Sequence, residues 1–251
     1  MDIWPIIVSM KTASVSIFIT FFLGLFIAKF IVNLQNETLK NVLDGILILP
    51  LVLPPTVAGF MLLYVFGVRR PIGKFFLDFF SVKIAFSWAA TVLAAIVMSF
   101  PMMYRSARSA FEQVDQNLIY AARTLGMSEW KIFWRVIMPI AKPGVIGGGI
   151  LAFARGLGEF GATAMIAGNI AGKTRTLPLA VYSAVAAGDM KTAGYYVAII
   201  LVLALFIIIS MNYFLSKERQ GYQKNQRYTH KKSSFVSKSL ATGGKSDESE
   251  C

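Results

Sequence analysis

Charge is scarce in this chain. Only 15% of its 251 residues are Asp, Glu, Lys or Arg, against about 25% in soluble globular domains, so an ordinary soluble domain is a poor description of it. Cysteine occurs once, as Cys251, which excludes an intramolecular disulfide and a thiolate metal centre. Histidine also occurs once, as His230, and a histidine-cluster metal site or a Ser-His-Asp triad would need a partner chain. The alternating short segments of a membrane barrel are missing, as are internal repeats. What abounds is apolar: 56% of residues are hydrophobic and 20 are Phe, too many for a chain that stays unfolded throughout.

A helix rises 1.5 Å per residue, so about 20 apolar residues cross a hydrocarbon core of roughly 30 Å. Five runs reach that length, at about 12–32, 45–67, 84–104, 144–167 and 194–215. Backbone polar groups cannot go unpaired in lipid, so each run is expected to be helical. The fold class is therefore an all-α membrane protein with about five transmembrane helices, its membrane domain covering 1–216. The first run has no Ala-x-Ala-like cleavage site after it and reads as a retained helix, not a signal peptide. The net charge of +12 points to basic loops beside a lipid membrane, not to nucleic acid. Placing 105–142 inside puts sixteen Lys and Arg inside against eight outside. That gives a prokaryotic plasma-membrane protein with its N-terminus outside and its C-terminus in the cytoplasm. The four basic residues within 69–83 run against this count.

Residues 217–251 are rich in Lys, Ser, Gln and Gly, a basic tail expected to stay solvated near anionic headgroups. Residues 105–142 alternate apolar and polar positions at helical spacing. Leu118, Ala121, Ala122 and Leu125 fall at i, i+3, i+4 and i+7. Asp115 or Asn117 can cap this helix and Gly126 can end it. A second amphipathic helix is expected from near Ser128 through Trp130, Phe133, Trp134 and Ile137 until Pro139. Two short helices joined at a glycine form a compact knob suited to a groove on another protein.

Ala121-Ala122-Arg123-Thr124-Leu125-Gly126, then nine residues, then Val136-Ile137-Met138-Pro139 resembles the Glu-Ala-Ala loop of binding-protein-dependent ABC importer permeases. Tyr120 stands where that pattern has Glu, and Val136 and Met138 replace Ile and Leu. Further stretches around Pro50, Pro54, Pro55 and Thr56, at 99–103, at 153–162 with Arg155 and Glu159, and at 169–178 resemble the molybdate and sulfate type of oxyanion permease. The resemblance implies a type I importer permease fold and a coupling loop at 105–142. In that loop Tyr120, Ala121, Ala122, Arg123, Leu125, Gly126 and Pro139 would dock on a separate ABC ATPase dimer. It also implies a second copy of the chain, an extracellular or periplasmic molybdate-binding protein, and ATP and Mg held by the ATPase, with no cofactor bound by this chain. The chain carries no Walker motif, so it is expected not to be the enzyme itself.

Pro50, Pro54 and Pro55 fall inside the second run, where proline removes a donor and clashes with the preceding turn. A kink or local unwinding is expected there, either as static packing or, with Thr56, as a wall of the translocation path. Arg155 and Glu159 are four apart in the fourth run. Charges at that depth must pair with each other or face an aqueous interior, so they read as an ion pair or as a gate. The glycines at 147–149, 156, 158 and 161 allow close approach to a neighbouring helix. Lys173 and Arg175 read equally as a solvated loop or as contacts to an anion or its carrier. The leading function is ATP-coupled inward transport of molybdate. Sulfate or tungstate transport, or ATP-independent secondary transport, are the alternatives.

Overall fold

The computed structural model describes residues 2–81, 83–213 and 216. The chain divides into one unit, Met1–Ile207, and a second, Ile208–Cys251. The tail expected at 217–251 lies outside the described residues, as do the last two residues expected for the fifth span.

The helices in chain order are α1 (Trp4–Val32), α2 (Glu37–Val52), α3 (Pro55–Phe66), α4 (Pro71–Phe80), α5 (Trp88–Glu112) and α6 (Gln116–Thr124). They continue with α7 (Glu129–Leu157), α8 (Gly161–Ile166), α9 (Leu177–Ala186) and α10 (Met190–Tyr213). Four of them, α1, α5, α7 and α10, are each long and apolar enough to cross a membrane. The pair α2–α3 makes a fifth crossing only as a broken span, bent by 110°. The cause lies in the sequence. Leu53 and Pro54 each precede a proline and are driven to extended backbone, with ψ of 141° and 134°. Pro55 then opens α3 from its first turn, where a missing N–H costs nothing. Pro50 does not interrupt α2, which runs on to Val52.

Two further helix ends differ from expectation. The fourth run is not one helix: α7 stops at Leu157 and α8 restarts at Gly161. The helix expected to end at Pro139 instead continues into the membrane. A wider π turn at Phe133–Ile137 lets the Met138 amide bond to the Phe133 carbonyl, five residues back. Pro139 then enters the next turn without breaking the helix.

The centre of the first unit is α5, packed between α1 and α7. Leu25 and Ile31 of α1, Met103, Tyr104 and Phe111 of α5, and Val145 of α7 share one buried cluster. Lipid tails are as apolar as leucine, so close backbone approach and hydrogen bonds between helices hold such a bundle. A Cβ on Gly144 would lie 2.7 Å from the Ala110 Cβ. On the other side, Thr12 pairs with Thr91 at 3.0 Å and Thr20 with Ser99 at 3.3 Å. The Trp88 indole donates to Thr12 Oγ1.

Candidate functional site

The singled-out residues fall in two places. The first is the loop between α5 and α7. Asp115 caps α6, its side chain accepting from the Asn117 amide at 2.9 Å. Ile119 and Ala122 turn inward onto Val114 and Ile132. Leu118, Tyr120, Ala121 and Leu125 face outward, Leu125 with 81% of its surface exposed. Of the apolar stripe read from the sequence, only Ala122 is buried.

Gly126 ends α6 with φ +72°. Its amide bonds to the Arg123 carbonyl and the Met127 amide to the Ala122 carbonyl, the Schellman pattern that satisfies the last carbonyls of a helix. Arg123 then grips Glu129 at the start of α7 with two hydrogen bonds, at 2.7 and 3.3 Å. That carboxylate pushes the Arg123 guanidinium pKa above its ordinary value. Lys29, in the last turn of α1, sits 4.0 Å from the Phe133 ring centre and 4.9 Å from that of Trp130. The knob is thus tied to α1 and α7 while its outer surface stays apolar and open. Pro139 lies in α7, beyond this surface.

The second place is a meeting of two helix breaks. A Cβ on Gly161 would lie 2.8 Å from the Pro55 Cβ and 3.2 Å from the Thr56 amide. Pro54, Pro55 and Thr56 on one side therefore meet the start of α8 on the other, and Pro50 lies away in α2. Glu159, in the gap between α7 and α8, is 2% exposed. One of its oxygens accepts from Arg155 Nη1 at 2.6 Å and the other from the Ala162 amide at 2.8 Å. The pair expected on one helical face is thus made across a helix end, where the carboxylate also satisfies an amide of α8. Gly156 packs near Ala95 and Ser99, which sets the two breaks at mid-length of α5. Transporter sites of broken helices occupy this level.

The sequence reading missed a third cluster. Asp44 of α2 accepts from the Tyr104 hydroxyl at 2.7 Å and pairs with Arg108. Arg108 also binds Glu112 at 2.9 Å, and Lys40 approaches Glu112 at 3.6 Å. The signal was present as Lys40 and Asp44, and as Tyr104, Arg108 and Glu112, each set spaced by four on one helix face.

Residues 6–217 match the model of a protein family, the binding-protein-dependent transport system inner membrane component. The chain belongs to this family. It is a multi-pass permease subunit of the ABC importer class, and its likeness to individual members agrees. It is 42% identical over 219 residues to the molybdenum transport system permease protein ModB of Escherichia coli (strain K12), covering 86% of this chain and 95% of that protein. It is 34% identical to the probable sulfate transport system permease protein cysT of Chlorokybus atmophyticus, covering 87% of this chain and 75% of that one. In fold it matches a bacterial ABC transporter involved in import of the acidic polysaccharide alginate, with a TM-score of 0.72 at 13% identity. That match covers 86% of this chain and 79% of the other. As in that family at large, the membrane component works beside other subunits.

Proposed function

We propose that this chain is the transmembrane subunit of a molybdate importer, moving the oxyanion inward while a separate ATPase dimer hydrolyses ATP. The observation that carries the reading is the 42% identity to a molybdenum permease along 95% of that protein's length. The sulfate-permease likeness, at 34%, makes sulfate the second reading, with tungstate as a near analogue of molybdate.

The mechanism follows from the two places described above. Tyr120, Ala121, Arg123, Leu125 and Gly126 present the knob to the ATPase, with Ala122 packed beneath them. ATP and Mg belong to that partner, and no cofactor is required of this chain. The Arg123–Glu129 pair makes the knob move with α7 as one body. Movement of α7 reaches Arg155 and Glu159, and through Gly161 reaches Pro55 and Thr56, so the two breaks act as the gate. α3 starts at this gate, and a helix N-terminus favours an anion over a cation. The prolines at 54 and 55, which have no N–H, leave fewer backbone hydrogen bonds to rupture when the gate changes shape. A second copy of the chain completes the path, because this few helices cannot enclose one alone. A binding protein outside the cell supplies selectivity, the knob faces the cytoplasm, and the N-terminus is outside.

Uptake of labelled molybdate into proteoliposomes holding the chain, its ATPase and its binding protein tests the reading, with sulfate as competitor. ATP-dependent uptake that Gly126→Pro abolishes, and that sulfate leaves intact, supports it. Uptake blocked by equimolar sulfate changes the substrate, and uptake indifferent to ATP overturns the coupling mechanism.

A further inference from the structure

At the end of α5 away from α6 lies a cavity of about 490 Å³. Its walls are Phe60, Leu63, Tyr64 and Val68 on one side and Ala85 and Phe86 on the other, with Arg69, Arg70 and Lys83 also lining it. The 25 residues of α5 place it roughly 37 Å from the knob, so it is no part of the coupling surface. It lies along the second half of α3, away from the Pro55–Gly161 gate.

Three features give the cavity a built character. Arg70 is held by stacking, its guanidinium carbon 3.8 Å from the Tyr64 ring centre. Among the described residues, no carboxylate pairs with Arg69, Arg70 or Lys83. Phe86 has φ +57°, a left-handed conformation in which a bulky residue is an outlier. Its amide is pinned to the Ile166 carbonyl at 3.0 Å, and its ring lies over Gly168, where a Cβ would come within 3.2 Å. A glycine would suit that backbone better. Strain of this kind persists where the surroundings over-determine it, and it clusters at ligand clamps.

We propose that this cavity binds an anionic phospholipid, with the headgroup phosphate on Arg69, Arg70 and Lys83 and the start of an acyl chain between Tyr64 and Phe86. The charge of the three side chains selects the phosphate. The aromatic and aliphatic walls select the attached chain, because a free oxyanion would leave them without a partner. Position agrees, since the cavity lies between the second half of α3 and the start of α5, at one end of a helix long and apolar enough to cross a membrane. Three of the four basic residues at 69–83 that offend the orientation rule thereby gain a ligand.

The test uses the full-length chain in mixed micelles. Phosphatidylglycerol competes there with phosphatidylcholine, and retained lipid is read by native mass spectrometry. Each basic side chain near a headgroup favours the anionic lipid about fivefold, so a preference on the order of a hundredfold is expected for the three. It should fall to parity in Arg69→Gln/Arg70→Gln/Lys83→Gln and stay unchanged in Lys131→Gln, at the other end of the molecule. Phe86→Ala should weaken retention of both lipids. Should the triple variant fail to fold, the wild-type competition and Lys83→Gln alone still decide. Parity in the wild-type chain overturns the proposal. So does displacement of the lipid by inorganic phosphate at matched concentration, which would make the cavity a site for small oxyanions.

Discussion

Gly59 of α3 lies directly against Ala162 of α8: a Cβ on Gly59 would sit 2.6 Å from the Ala162 Cα. That distance is to backbone, which cannot swing aside as a side chain tip does. Gly59→Ala therefore pushes α3 off α8, with a cost of about 1–3 kcal/mol from overpacking. Gly45→Ala is the control, because nothing lies within 4 Å of a Cβ there. Thermal unfolding in detergent should show a lowered midpoint for Gly59→Ala alone, and uptake should fall with it. Equal behaviour of the two variants would mean that the α3–α8 contact is loose.

The Glu159 carboxylate bridges Arg155 and the Ala162 amide, so its substitutions should rank. Glu159→Ala leaves a cation and an amide without partners and should cost about 3 kcal/mol. Glu159→Gln keeps an acceptor for the amide and should cost less. Arg155→Ala/Glu159→Ala should recover part of the loss, because no unpaired charge remains. A double-mutant cycle on unfolding midpoints reads this ranking. Additive losses would mean that the two side chains act independently.

Much of the architecture is legible in the sequence, and the illegible part has a common origin. The apolar runs mark the crossings because the cost of lipid exposure is local to each segment. The Pro54–Pro55 pair marks one break for the same reason, since proline acts on its own neighbours. The break at Glu159 has no proline to announce it. It rests on Gly161 fitting against Pro55, a contact between distant segments. Asp44 and Tyr104 are 60 residues apart in sequence, so the spacing by four within each helix does not say that the two helices meet there. Within the knob, spacing identifies a helix, but Ile119 and Ile132 decide which face is buried.

The Asp44–Arg108 pair links α2 to α5 through side chains that are 28% and 17% exposed. Half-sheltered pairs of this kind should couple more strongly than surface pairs and less than fully buried ones. A cycle of Asp44→Ala and Arg108→Ala should return a coupling of about 1–2 kcal/mol. Transport should fall more than stability, because α2 carries the gate at its far end. A coupling near zero, with unchanged uptake, would reduce the cluster to surface decoration.

Gly126 is required for its conformation and not for space, since a Cβ there would meet nothing within 4 Å. Its φ of +72° costs an ordinary residue about 1–2 kcal/mol. Gly126→Ala should therefore loosen the end of α6, with faster hydrogen exchange at the Met127 amide, whose bond to Ala122 closes the motif. Gly126→Asn should recover much of the protection, because asparagine tolerates the left-handed region. If knob geometry couples the ATPase to the gate, uptake should follow the same order, Gly above Asn above Ala, while the unfolding midpoint of the membrane helices stays put. Uptake that ignores this order would place the coupling surface elsewhere, on the exposed Trp130 and Trp134 of α7.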